Sequence, residues 1–376
     1  MGNLASPLTS YSDSTPQKRV ITDYVSLIDP SDAPMVEALG GLDGAASKFD
    51  LVNWPSTNAE WLEDSLTPLV GTLTVSTSLT VTDLTVADAA MFQPGQILLV
   101  DSEKMWVSAV TASGSHLTVT RGYASTTTAS HATTADLIKI IGMARLEGAT
   151  SEAIGFTDRT TGSNYTQIYH QEIKVSRTQN QMNQYGIAGE FDYQAAKAIP
   201  SLMRLVERNL FYGARAAGSA SVARTSGGFS TFITDNMSAA ATIGQTTLET
   251  PLYLSYQDGG TGPWIAPVSP TNMRRIKNIL DSSNFVRVGL ENTRLGMIVD
   301  RIMTPFGEAS FLLDRWATDS EIWYVDPKNA GLLTFYPFTQ EPLAKTGDFE
   351  YGEVVGEFTF LCKLDKSHAA GTNISA

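Results

Sequence analysis

Between residues 164 and 217 the hydrophobic period changes once, and this change constrains the fold more than any other stretch. Ile168, His170, Glu172, Lys174 and Ser176 alternate with Gln167, Tyr169, Gln171, Ile173 and Val175, the two-residue period of a strand with one partly wet face. After Gly186 apolar residues recur every three or four positions, at Ile187, Phe191, Ala195, Ala198, Leu202, Leu205, Val206 and Leu210. They draw one stripe down a helix of roughly 42 Å at 1.5 Å per residue. Lys197, Arg204, Glu207, Arg208 and Arg215 lie off the stripe, and Gly213 and Gly218 offer stops. Pro200 interrupts the stripe. A proline inside a helix removes a hydrogen bond and crowds the preceding turn at about 3 kcal/mol, so a kink or two abutting helices are predicted near Ile199.

On either side of this stretch the pattern is extended. Pro7, Pro16, Pro30 and Pro34 interrupt residues 1–48, leaving an arm with short turns such as 35–39 that gains order only by lying on something else. Trp54 and Trp61 stand among acids in the next stretch and read as a contact surface or as half-buried core residues. Residues 68–141 are rich in Thr, Val and Leu, with short runs at 72–75, 79–81, 97–100, 105–110, 117–120 and 137–141 between turn signals, which predicts a small all-β module. Beyond a small-residue linker at 218–228, strands are predicted at 252–256 and 265–268. A helix follows over 271–280, opened by Pro270, then strands at 297–302, 310–314, 322–325 and 332–336, and a long one at 350–364.

Composition and motifs exclude several kinds of function. A chain of 376 residues predicts two or three domains and an ample core. Its net charge of −13 argues against a main task of neutralising phosphates. The single cysteine, Cys362, rules out an internal disulfide frame and suits a reducing compartment. No apolar run approaches the ~18 residues of a membrane span, and the start lacks a secretory pattern. His116, His131, His170 and His368 have no second ligand at metal-binding spacing. Gly260-Thr261-Gly262 lacks the third glycine of a dinucleotide fingerprint, and Lys345-Thr346-Gly347 lacks the Ser-x-x-Lys partner of a serine β-lactamase. Acids such as Glu350, Glu353 and Glu357 read as an ordinary strand surface. No catalytic, cofactor or metal site is expected, and a large folded chain without chemistry reads as structural.

Several segments in order carry a family resemblance: Leu146-Glu147-Gly148, Asn164-Tyr165-Thr166-Gln167-Ile168, Val175-Ser176-Arg177-Thr178, Tyr185-Gly186-Ile187 and Glu190-Phe191-Asp192-Tyr193-Gln194. Glu207-Arg208-Asn209-Leu210, Ser226-Gly227-Gly228-Phe229, Leu343-Ala344-Lys345-Thr346-Gly347-Asp348 and Val355-Gly356-Glu357 continue it. Over most of 20–370 the chain resembles the major capsid (major head) proteins of tailed bacteriophages (Caudovirales) with the Hong Kong 97-like fold, in the group typified by an elongated-head podovirus. The module, through Phe92, Pro94-Gly95, Glu103, Met105, Val107, Arg121-Gly122 and His131, is similar to small β-modules of phage structural proteins. Pro200 and the run Thr126-Thr127-Thr128 depart from the pattern.

The resemblance implies an α+β fold with a long spine helix, peripheral and axial domains, and an all-β module inserted in an extended loop. Residues 1–48 would be the N-terminal arm, 49–163 the extended loop carrying the module (68–141), 164–217 the peripheral domain with the spine helix, 218–340 the axial domain, and 341–376 the return to the peripheral domain and the tail. The implied function is non-enzymatic self-assembly into hexamers and pentamers of an icosahedral or elongated, DNA-containing head, located in the virion capsid after synthesis in the host bacterial cytoplasm. Implied partners are further copies of the chain, a separate scaffolding protein, a portal protein and a cement or decoration protein; double-stranded DNA is enclosed without specific binding, and no membrane or cofactor is involved. Candidate subunit contacts are Val20, Tyr24, Leu27, Trp54 and Trp61, with Lys345, Thr346 and Asp348 on a loop that gathers at threefold positions. The alternatives are a bacterial nanocompartment shell protein, or a phage tail or decoration protein with a carbohydrate-binding β-module.

Overall fold

The computed structural model describes residues 32–42, 55–111, 115–133, 137–148, 157–182, 187, 189–239, 242–282 and 300–374. Val20, Tyr24, Leu27 and Trp54 lie outside them. The chain divides into two units, Met1–Trp61 with Gly162–Ala376, and Leu62–Thr161. It enters through α1 (Pro34–Ala38) and β1 (Asn58–Glu63).

The second unit is one antiparallel sheet. Its strands are β2 (Val70–Thr72), β3 (Asp83–Thr85), β4 (Gln96–Val100), β5 (Glu103–Thr111), β6 (His116–Thr120) and β7 (Leu137–Met143), in the spatial order β2-β7-β4-β5-β6-β3. Leu98, Val100, Met105, Val107, Leu117, Val119 and Ile138 point to one face and are buried with Leu73, Leu84, Val86, Met91 and Phe92. The runs predicted at 72–75 and 79–81 are shifted to 70–72 and 83–85. Alternate inward residues set register, and Leu84 and Val86 reach the core whereas Val75, Leu79 and Val81 face solvent.

The first unit resumes at β8 (Thr160–Tyr165), which pairs with β1. There follow β9 (Gln167–Ser176), α2 (Arg177–Gln181), α3 (Glu190–Tyr212), α4 (Phe229–Phe232), β10 (Met237–Ala239), α5 (Gln245–Gln257), β11 (Trp264–Val268), α6 (Pro270–Ser282), β12 (Asp300–Thr304), β13 (Gly307–Leu313), β14 (Ile322–Tyr324), β15 (Ala330–Pro342), β16 (Phe349–Cys362) and β17 (Ala369–Thr372). They form the three-stranded sheets β15-β16-β9, β11-β13-β12 and β10-β17-β14. Along β9, Tyr169, Ile173 and Val175 are buried while Ile168, His170, Glu172, Lys174 and Ser176 are exposed, as the alternation predicts.

The helix α3 runs unbroken through Pro200 for 23 residues, about 34 Å, so two abutting helices do not form. Pro200 and Ala196, whose carbonyl loses its donor, are both exposed, so water can satisfy that carbonyl. Ala195, Ala198, Leu202, Val206 and Leu210 hold one buried stripe across the interruption. The predicted strand at 252–256 is instead part of α5. Its buried residues are Leu248, Pro251, Leu252 and Ser255, a helical spacing that the local alternation of Leu252, Leu254 and Tyr256 masks. Pro270 does open α6, where Ser269 Oγ accepts the Asn272 N–H at 3.2 Å. The core closes on an aromatic cluster: Phe229 lies 5.5 Å from Phe211, 5.1 Å from Phe360 and 6.2 Å from Trp323 between ring centroids.

Candidate assembly surfaces

Charged and polar groups inside the units hold the chain to itself. In the module, the buried Glu103 carboxylate accepts Arg121 Nε and Nη2 at 2.7 Å each, the Gly122 and Ala129 N–H groups at 3.0 Å, and His131 Nε2 at 3.0 Å. Burial pushes this carboxyl up, but Arg121, Ala129, His131 and Gly122 together outweigh burial and bring its pKa down to about 2. Arg121 also donates to the Ser78 and Val81 carbonyls at 3.0 and 2.9 Å, and His131 Nδ1 meets Asp101 at 3.1 Å. Glu103, Arg121 and His131, far apart in sequence, thus form one clamp that gathers three loops onto β5. Every partner of the carboxylate is a structural one, so the clamp has no free group for chemistry.

In the first unit the buried Asn164 binds Ser226 Oγ, Gly227 O and Phe360 O through Nδ2 at 3.1, 3.1 and 2.7 Å, and its Oδ1 accepts the Tyr165 and Gly227 N–H groups at 2.9 Å. Glu357 pairs with Arg224 at 2.5 Å and accepts the Thr166 hydroxyl. These groups fasten the loop between α3 and α4 to β8 and β16. Glu207, which helical spacing places off the apolar stripe of α3, is nevertheless buried. Its Oε1 and Oε2 accept the Met35 and Val36 N–H groups at 2.7 and 2.8 Å, so a long-range partner that periodicity cannot see covers it.

His368 is buried as a neutral ring: Nδ1 accepts the Asp326 N–H at 3.0 Å and Nε2 donates to Lys363 O at 3.1 Å. Burial lowers its pKa from 6.5 to about 4. The unfolded chain therefore binds a proton that the native chain refuses between these values, and stability falls as pH drops through the window. Denaturant titrations at pH 7 and pH 5 should differ by about 2 kcal/mol from this residue, and His368→Gln should remove that part of the difference.

What remains for function is surface. The loop joining β15 to β16 exposes Lys345, Thr346 and Asp348, with Asp348 in an exposed pair with Arg177 at 2.9 Å. Trp61, by contrast, is only 7% exposed. It packs on Phe232 at 5.7 Å and against Leu333 and Leu361, in space left by Gly162, whose Cβ would fall 2.4 Å from the indole. A groove between β9 and α3 has Tyr169 and Leu202 among its lining residues, and Ile168, Leu205 and Tyr212 stand 45–49% exposed in it beside His170 and Arg208. The outer side of the module shows Val70, Leu137, Ile141 and Met143. Single exposed apolar residues are ordinary, whereas several lining one groove make it a candidate contact surface. Among the described residues no group of three or more His, Cys, Asp or Glu could hold a metal, and no helix is long and apolar enough to cross a membrane.

The model of the SU10 major capsid protein family matches residues 8–375. The chain belongs to that family. It is accordingly a bacteriophage major capsid protein, a self-associating structural component of the virion capsid, and the nanocompartment and tail or decoration alternatives give way to this membership. No curated protein sequence matches the chain. Solved capsid subunits share its fold at low identity. The cyanophage A-1(L) capsid asymmetric unit has a TM-score of 0.57 at 10% identity, covering 98% of this chain and 100% of that one. The capsid of an empty GTA particle has a TM-score of 0.51 at 8% identity with 100% of each chain covered, and a Microbacterium phage Oxtober96 chain 0.50 at 9% identity with 99% and 100% covered. The α+β architecture of this family member is thus the Hong Kong 97-like capsid fold.

Proposed function

We propose that this capsid subunit closes into hexamers and pentamers of a head of the elongated-head podovirus type, without enzymatic activity, and that its extensions hold neighbouring copies together. The observation that carries this reading is the apolar groove between β9 and α3. Ile168, Leu205 and Tyr212 lie open together there, and each such side chain gains roughly 25 cal/mol per Å² when a neighbouring copy covers it. In the same reading residues 1–48 are the arm, 49–163 the extended loop, 164–217 with 341–376 the peripheral domain, and 218–340 the axial domain. Lys345, Thr346 and Asp348 meet other copies at threefold positions, and Val20, Tyr24, Leu27 and Trp54 grip a neighbour. A separate scaffolding protein guides assembly, a portal protein occupies one vertex, and a cement protein takes the outer side of the module. The net charge of −13 suits DNA that is enclosed and not specifically bound.

Electron microscopy of the purified protein, alone and co-expressed with its scaffolding partner, tests this reading. Closed shells are the expected result, and a monodisperse monomer under both conditions overturns it. Deleting residues 1–30 should leave a folded subunit that no longer forms stable shells, and unchanged shells would remove the arm from the assembly mechanism.

A further inference from the structure

Two buried carboxyl groups lie beneath α1. Glu207 Oε1 and Oε2 already accept the two backbone N–H groups of Met35 and Val36, and the carboxyl of Asp314, just past β13, is hydrogen-bonded to Glu207. Both residues are fully buried. Asp314 Oδ1 takes the Trp316 N–H at 2.8 Å, while Oδ2 is buried and has no N–H or hydroxyl donor among the described residues. Two carboxyl groups in contact, one with an oxygen that no other donor reaches, are satisfied by one arrangement: a single proton held between them. We propose that Glu207 and Asp314 share this proton as a latch that fastens residues 32–42 to the first unit, and that losing the proton frees the segment while the unit stays folded.

The rest of the attachment is built around the same point. Trp316 Nε1 donates to Asp32 O at 2.9 Å, Arg315 pairs with Asp32 at 3.2 Å, and Thr334 Oγ1 donates to Leu42 O at 2.6 Å. Met35, Val36 and Leu39 are buried in the first unit's core. The charged and titratable groups around the pair are Asp32, which further disfavours ionisation of Asp314, its partner Arg315, and Tyr212 with its neighbours Arg208 and Glu321. Among the described residues none sits as a cation on the pair. When hydroxide or a buffer base removes the proton, two carboxylates are left in contact without a counter-charge, and separating α1 from Glu207 lets water reach them.

Burial and the Asp314 carboxyl push Glu207 up to about 9, even though the two N–H groups pull it down. A freed segment leaves both acids with ordinary carboxylate affinities, and burial raises Asp314 as well as Glu207, so closing the latch takes up at least one proton at every pH between the ordinary range and about 9. The closing equilibrium therefore weakens at least tenfold per pH unit as pH rises. Below the ordinary carboxylate range it is independent of pH.

Hydrogen exchange read by mass spectrometry on the full chain tests this, with rates corrected for the intrinsic pH dependence of exchange. Protection of the amides in 35–41 should fall at least about tenfold per unit from pH 6 to pH 9, while α5 stays constant. Asp314→Asn supplies a permanent donor to Glu207 in place of the proton and should make protection of 35–41 flat with pH. A flat wild-type profile overturns the latch. So does a fall shared equally by α5, or a sloping profile in a folded Asp314→Asn protein. The wild-type profile alone decides the matter if the variant does not fold.

Discussion

Glu103→Ala should unfold the module at temperatures where the first unit remains intact. The substitution strips Arg121, whose guanidinium is almost fully buried, of its bidentate carboxylate, and it leaves the Gly122 and Ala129 N–H groups and one His131 nitrogen without an acceptor. Breaking a buried ion pair by removing one partner costs about 3–5 kcal/mol, because the surviving charge stays desolvated. The module has one main core, that of its six-stranded sheet, so a loss of that size is a large share of what a domain of this length holds in reserve. Calorimetry of the unassembled subunit should show one transition moving down by more than 10 °C while the other is unchanged. Glu103→Gln should fall between wild type and alanine, since an amide keeps the shape and one acceptor but donates toward groups that are themselves donors. A module that melts at its wild-type temperature without the carboxylate would show that Glu103 does not hold it.

The clamp also shows what could be read from one chain and what could not. The turn signals between the short runs at 97–100, 105–110 and 117–120 bound strands correctly because turn chemistry is local, and β9 was legible because its two-residue alternation reports directly which side chains are buried. Glu103, Arg121 and His131 stood in the sequence only as scattered members of a resemblance; their joining depends on pairings across 18 to 28 positions, which no window of a few residues contains. Glu207 fails for the same reason. A charged residue off a helix stripe reads as solvated, and the two N–H groups that bury it come from residues more than 170 positions away. The strand expected at 252–256 differs from α5 for another cause: three apolar residues in alternation satisfy a strand template, and only the buried Leu248 and Pro251 before them and Ser255 between Leu254 and Tyr256 restore the helical period. The proposed contact groove was the hardest part to read, because an exposed Leu205 or Tyr212 is indistinguishable in sequence from its buried neighbours on α3.

Asn164 should be the most sensitive polar position of the first unit, and its two halves can be separated. Its amide serves five partners from three parts of the chain, which no apolar side chain can replace. Asn164→Ala orphans the Gly227 N–H and the Phe360 carbonyl inside the core, at about 1–3 kcal/mol for each unsatisfied group, so a total near 4 kcal/mol is expected in denaturant unfolding of the unassembled subunit. Asn164→Asp keeps the acceptor for Gly227 and Tyr165 but turns the donor side into an oxygen facing two carbonyls. If donation to Phe360 and Gly227 dominates, aspartate should be worse than alanine and should worsen further as pH rises and the new carboxyl ionises. If acceptance from the backbone N–H groups dominates, aspartate should be the milder change. The 2.7 Å contact to Phe360 O, shorter than the 2.9 Å contacts on the acceptor side, favours the first outcome. Measurements belong on the free subunit, because copies that bind only the folded form raise its apparent stability by mass action, and a shell would mask part of the loss.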